Sequence, residues 1–167
     1  MSQPDLRPLP GQQGIDPRGP RFSAGITAVL LAVDLVLGLV GLSSNGSRLA
    51  AWILLVLIAL MFVWGAVGGV QKHPYGALYR SLLRPRLAPP VELENPAPPT
   101  FAQLVGLIIT GLGVILGIWF PVIVVIAAAF AFIAAFLNSV FGYCLGCQMY
   151  LLLVRAGVIG RSRGAAA

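Results

Sequence analysis

A chain of 167 residues with 58% apolar side chains, 10% charged ones and a mean hydropathy of +0.91 is not a soluble globular domain, where about 45–50% apolar and 25% charged is ordinary. Its net charge of +6 requires no nucleic acid, since cations gathered at one membrane face and meeting anionic headgroups account for it. The expected fold class is all-α integral membrane: four transmembrane helices in two hairpins, both termini cytoplasmic, with an interfacial segment after the fourth span.

Residues 1–21 hold Pro4, Pro8, Pro10, Pro17 and Pro20 and lack the apolar core of a signal peptide. They read as a proline-rich cytoplasmic arm, partly extended because proline opposes a helix. A membrane domain over residues 22–158 follows, and residues 159–167 form a basic, small-residue tail. The spans fall at about residues 22–42, 49–70 and 101–120, with a fourth run starting at Pro121. Asn45-Gly46 marks the turn of the first hairpin, while Pro121 suits the first turn of the fourth helix.

Between the hairpins lies a cytoplasmic loop, residues 71–100, opening with His73-Pro74-Tyr75-Gly76. Residues 77–84 are expected to form a short helix with Leu78, Leu82 and Leu83 towards lipid and Arg80 and Arg84 snorkelling to headgroups. From Pro85 to Pro99 the density of proline predicts an extended surface segment. A single helix over residues 121–154 would be about 51 Å long, against roughly 30 Å of hydrocarbon. The span is therefore expected to end near Phe141, where Gly142 and Gly146 weaken it, leaving Cys144 and Cys147 at the inner boundary. Residues 149–155 then form an interfacial or re-entrant segment, or the tail of a tilted helix.

The cations set the orientation. With four spans the inner side holds Arg7, Arg18, Arg21, Lys72, Arg80, Arg84, Arg86, Arg155, Arg161 and Arg163, and the outer side only Arg48. A fifth span would move Arg155, Arg161 and Arg163 outside and weaken the bias.

Polar groups inside the spans are few. Asp34 sits near mid-membrane, where a carboxylate costs at least about 2.5–3.5 kcal/mol, and no cation lies in any span to offset it. It is expected to be protonated, either as a neutral acid joining two helices, with Thr110 at similar depth as hydrogen-bond partner, or as a proton relay or substrate contact. Asn138 is likewise glue or part of a polar pocket. Ala127, Ala131, Ala135 and Ser139 form a small-residue ridge for close helix approach.

The reactive chemistry is Cys144-Leu-Gly-Cys147, which holds both cysteines of the chain. Two thiols three residues apart at a helix start can close a disulfide, and helix amides with nearby cations favour the thiolate. A resting structural disulfide is disfavoured in a reducing cytoplasm, leaving a dithiol that is redox-active, persulfide-carrying, metal-binding or idle. Metal is poorly served, because His73 is the one histidine and a structural zinc site needs four ligands. Phosphate-binding, dinucleotide and serine-nucleophile templates are absent, and no cofactor is expected.

Four blocks carry a resemblance: Ile15-Asp-Pro-Arg-Gly-Pro-Arg-Phe22; His73-Pro-Tyr-Gly-x-x-Tyr-Arg80 with Arg84-Pro-Arg86; Phe101-Ala-Gln103; and Ala135-Phe-Leu-Asn-x-x-Phe-Gly-x-Cys-Leu-Gly-Cys147. Over residues 15–155 the chain resembles the bacterial integral-membrane family known as domain of unknown function 4395, common in actinobacteria. Genes for thioredoxin-like and rhodanese-type proteins often neighbour its members, so the resemblance implies thiol or sulfur handling with a partner of that kind. The expected function is thus an inner-membrane thiol-disulfide oxidoreductase or sulfur carrier. Cys144 and Cys147 would react, and Arg80, Arg84, Arg86 and Arg155, with His73, Tyr75 and Asn138, would line the binding region. The alternative is a transporter subunit or scaffold using Asp34, Thr110 and Asn138, for which four spans imply a homo-oligomer or a larger partner.

Overall fold

The computed structural model describes Pro8, Gly11 and residues 13–159; Pro4, Arg7 and Pro10 of the arm, and Arg161 and Arg163 of the tail, lie outside them. In chain order the helices are α1 (Arg18–Gly41), α2 (Asn45–Gly68), α3 (Pro74–Leu82), α4 (Ala97–Leu116), α5 (Pro121–Phe141) and α6 (Leu145–Arg155). Of these α1, α2, α4 and α5 are long and apolar enough to cross a membrane. Among the described residues no strand forms, and Ile15 and Glu94 make one isolated antiparallel pairing.

The four spans close a ring in which α1 packs on α2 and α5, and α4 packs on the same two helices. The centre is Leu31, Leu55, Ile58, Val124, Ala128 and Ala131. Lipid offers no hydrophobic gain to helix association, so the contacts rest on close backbone approach. A side chain at Gly25 would begin 2.9 Å from Ser139 Oγ, and one at Gly38 would begin 3.0 Å from Val125 Cγ2. Those two points fix α1 and α5 as antiparallel. The expected ridge lies at this core: Ala127 and Ala131 are buried, and Ala135 packs beside them. The Trp52 indole donates to the Val114 carbonyl at 2.9 Å, in the last turn of α4 where carbonyls lack intrahelical donors. Outward-facing Val29, Val36, Leu57, Ile108 and Phe130 are exposed, which fits contact with acyl chains.

Helix ends differ from the sequence expectation where proline or glycine stands in a first helical turn. The first span starts at Arg18, inside the stretch read as arm, with Pro17 as its N-cap residue. Likewise Pro98 and Pro99 belong to the first turn of α4 and not to the extended segment. Both sites are tolerated because the first-turn N–H groups have no helical acceptor to lose. Asn45-Gly46 is the first turn of α2, not the hairpin turn, and Ser44 is extended before it (φ −133°, ψ 120°).

The fourth span does end at Phe141. Gly142 takes the left-handed conformation, φ 68°, and closes the helix: its N–H donates to the Asn138 carbonyl at 3.1 Å, and the Tyr143 N–H to the Leu137 carbonyl at 3.2 Å. The segment beyond is a separate helix, α6, starting at Leu145 and docked on α4.

Candidate functional site

One end of the bundle gathers the arm, the α2–α4 connection and the start of α6. Ile15 and Glu94 exchange backbone hydrogen bonds at 2.9 Å, and Arg18 donates to the Ala88 carbonyl at 2.9 Å. Two separate features stand there, on opposite sides of the first turn of α1.

The first is the cysteine corner. Cys144 is the N-cap residue of α6, extended at φ −88° and ψ 103°, and its sulfur accepts the Cys147 N–H at 3.3 Å. The two cysteines form a disulfide, with Cα atoms 5.2 Å apart, a contact that their spacing left open. Both residues are half-buried. Gly146 is buried because α6 touches α4 there: a Cβ would stand 2.6 Å from both Cα and Cβ of Ala102. The rings of Phe101 and Tyr150, 5.7 Å apart, continue that contact.

Arg21, which the sequence reading did not single out for the site, lies beside this corner. Its guanidinium donates to the Ser139 and Val140 carbonyls at 3.4 and 3.3 Å, where a cation complements the helix C-terminus. It also borders Gly142. Arg155 closes α6 at the end away from Cys144, about 15 Å along the helix axis. Arg86 is exposed in the 3-10 turn Arg84–Arg86. Asn138 is half-buried in the last turn of α5.

The second feature is a cleft of about 320 Å³ between the start of α1 and α3. Three of the four sequence blocks converge on it: Asp16 and Gly19 from one side, with Ser23 just past that block, His73, Tyr79 and Arg80 from the other, and Gln103 from α4. Asp16 does not leave a free charge there. Its Oδ1 accepts from the Arg18 backbone N–H and Nε at 3.0 and 2.9 Å, and its Oδ2 from Arg18 Nη2 at 2.8 Å and the Tyr79 hydroxyl at 3.0 Å. Burial pushes the Asp16 carboxyl up, but the bonds from Arg18 and Tyr79 outweigh it and hold the group below the usual carboxylate range.

His73, 4% exposed, has both ring nitrogens engaged. Nδ1 accepts the Tyr75 N–H at 3.2 Å, which caps α3, and Nε2 donates to the Met61 carbonyl at 3.2 Å. That bonding leaves no lone pair for a metal. Tyr75 packs edge-on to it, ring centroids 4.9 Å apart. Burial pushes the His73 imidazole below its ordinary range, the Met61 bond opposing. A base depressed in the folded state stabilises the fold fully above its unfolded pKa of about 6.5 and progressively less as pH falls through and below it. The thermal midpoint in detergent should therefore drop on acidification below about pH 6.5. In His73→Asn, which keeps a capping acceptor, this part of the drop should vanish; an unchanged acid profile would place the effect elsewhere.

Inside the bundle Asp34 and Thr110 are both 0% exposed, yet the expected bond between them is absent. Thr110 donates to the Gly106 carbonyl one turn back at 2.8 Å, the local bond available to any helical threonine. Neither Asp34 oxygen has a partner.

A family model described as Domain of unknown function (DUF4395) matches residues 15–155. The chain belongs to this family. The match spans the bundle, the cleft and the cysteine corner together. No curated protein and no solved structure matches the chain.

Proposed function

We propose that this member of the family carries out thiol–disulfide exchange at the cytoplasmic face of a bacterial inner membrane, with a thioredoxin- or rhodanese-like protein as partner. The observation that supports it most is the placement of Cys144. It is half-exposed, closed onto Cys147, and at a helix N-terminus, where backbone N–H groups favour a sulfur bearing negative charge. The orientation rests on the basic end: Arg18, Arg21, Lys72, Arg80, Arg84, Arg86 and Arg155 belong to its elements and Arg48 to the opposite turn.

In the exchange a thiolate of the reduced partner attacks the Cys144 sulfur. The Cys144–Cys147 bond breaks, and Cys147 leaves as a thiolate that takes up a proton. The partner's second thiol loses its proton and attacks the partner sulfur of the mixed disulfide, releasing Cys144 as a thiolate that is then protonated. Two electrons and two protons pass from the partner's dithiol to the cysteine pair, and the partner is left as a disulfide. Run in reverse, Cys144 is the attacking thiolate.

Incubating Cys147→Ser protein in lipid nanodiscs with a thioredoxin whose resolving cysteine is replaced by serine, and whose remaining cysteine is held as a thionitrobenzoate mixed disulfide, should accumulate a mixed disulfide through Cys144 as thionitrobenzoate leaves. Cys144→Ser should accumulate at least about tenfold less. In cells, acid quenching and mass-tagged alkylation should find the wild-type pair cycling and shielded from an impermeant reagent. A pair that is permanently reduced, with no trapped complex from either variant, would overturn the proposal. A second reading, a transporter subunit acting as a homo-oligomer, draws on the unpartnered carboxyl of Asp34.

A further inference from the structure

We infer that the cleft between the start of α1 and α3 binds a phosphate group, carried either by a phospholipid headgroup or by a small soluble phosphate compound. The inference is independent of the cysteine chemistry, because neither Cys144 nor Cys147 lines this cleft.

Charge carries the argument. Asp16 is the one acid among the described residues lining the cleft, and Arg18 and Tyr79 already use its carboxylate. Arg80 and Arg84 also line it, and no carboxylate among the described residues pairs with either. They lie one turn apart along α3 and the turn after it, a spacing at which like charges repel unless an anion sits between them. A guanidinium presents a planar fork of donors suited to phosphate oxygens, and two of them match the charge of a phosphate dianion.

Shape agrees with charge. A Cβ at Gly76 would stand 3.5 Å from Arg80 Nη1. The Arg80 side chain therefore lies back over the bare Gly76 backbone and along the cleft wall. Gln71 and Gln103 add amide groups to the lining. The cleft volume of about 320 Å³ is at the small end of ligand sites, suiting a headgroup or small ester better than a nucleotide. His73, with both nitrogens committed, and Ser23, whose hydroxyl donates to the Gly19 carbonyl at 3.1 Å, shape the wall without adding charge.

The test uses the full chain in dodecyl maltoside, with thermal shift and native mass spectrometry as readouts. The probes are inorganic phosphate, glycerol phosphate and dioctanoyl phosphatidic acid, with chloride at matched ionic strength as control. At least one phosphate probe should stabilise the protein beyond chloride, in proportion to its occupancy. Arg80→Gln and Arg84→Gln should each weaken that affinity about tenfold or more, the loss of a charge-assisted bond. Arg86→Gln removes the same charge from the same face outside the cleft and should leave the affinity within about twofold. Stabilisation by phosphatidic acid alone identifies the lipid source; stabilisation by the soluble esters or inorganic phosphate identifies the free one. Equal losses in all three variants would reduce the effect to general attraction between a basic face and anions, and overturn the site. So would the absence of any shift beyond chloride.

Discussion

Replacing Gly146 by valine is expected to lift α6 from α4 and to cut disulfide exchange at Cys144 and Cys147 by an order of magnitude or more, with the four spans still inserted. The reason is steric. The nearest atoms to a side chain at this position are Cα and Cβ of Ala102 at 2.6 Å, and helix backbone cannot swing aside as a long side chain can. Overpacking of this kind costs about 1–3 kcal/mol, and it falls on the one buried residue of this 11-residue helix. Alanine is the informative intermediate, because its helix propensity exceeds glycine's by about 1 kcal/mol and opposes the smaller clash. Gly111→Ala is the control: it lies in the same helix as Ala102 and nothing stands within 4 Å of its Cβ position. Alkylation rates of the reduced thiols, with circular dichroism to report helix content, distinguish the outcomes. Wild-type exchange in Gly146→Val would mean that the cysteine corner does not depend on the contact with α4.

The spans were legible because length and apolarity alone decide them, and the break at Phe141 because bilayer thickness and Gly142 agree. The ends at Arg18, Asn45 and Ala97 were not, since proline or glycine in a first helical turn leaves the same sequence signature as a loop. Pairings across the chain were less legible still. The contact of Arg21 with Ser139 spans 118 positions, and nothing local to either residue announces it. Thr110 misled for the opposite reason, since its hydroxyl is satisfied within its own helix. The cleft illustrates the middle case. His73, Gly76 and Arg80 share one helix face by spacing, and Asp16, Gly19 and Ser23 another, but which faces meet depends on how α3 folds back on α1. The glycine of Cys-Leu-Gly-Cys reads in sequence as a helix weakener, and only its contact with Ala102 explains it.

Asp34→Leu is expected to raise the thermal midpoint of the detergent-solubilised protein. Asp34 is wholly buried, and neither of its oxygens has a hydrogen-bond partner. Leaving a buried polar group unsatisfied costs about 1–3 kcal/mol, and the neighbours of Asp34 on its own helix face, Leu31 and Gly38, are apolar and buried, with Val125 and Ala51 packed against Gly38. Asn at this position keeps the polarity and should leave the midpoint nearly unchanged. A lower midpoint in Asp34→Leu would show that the carboxyl has a stabilising partner after all. The functional arm of the same experiment separates the two proposed roles. If thiol exchange defines the protein, both variants should keep the mixed-disulfide yield of Cys147→Ser when built on that background, because Asp34 lies inside the bundle part-way along α1 and Cys144 beyond the end of α5. If that yield falls with Asp34→Asn while fold and expression hold, proton movement through the bundle is coupled to the cysteines. The carboxyl then persists against its own energetic cost because it carries a proton, and the transporter reading and the thiol reading describe one machine.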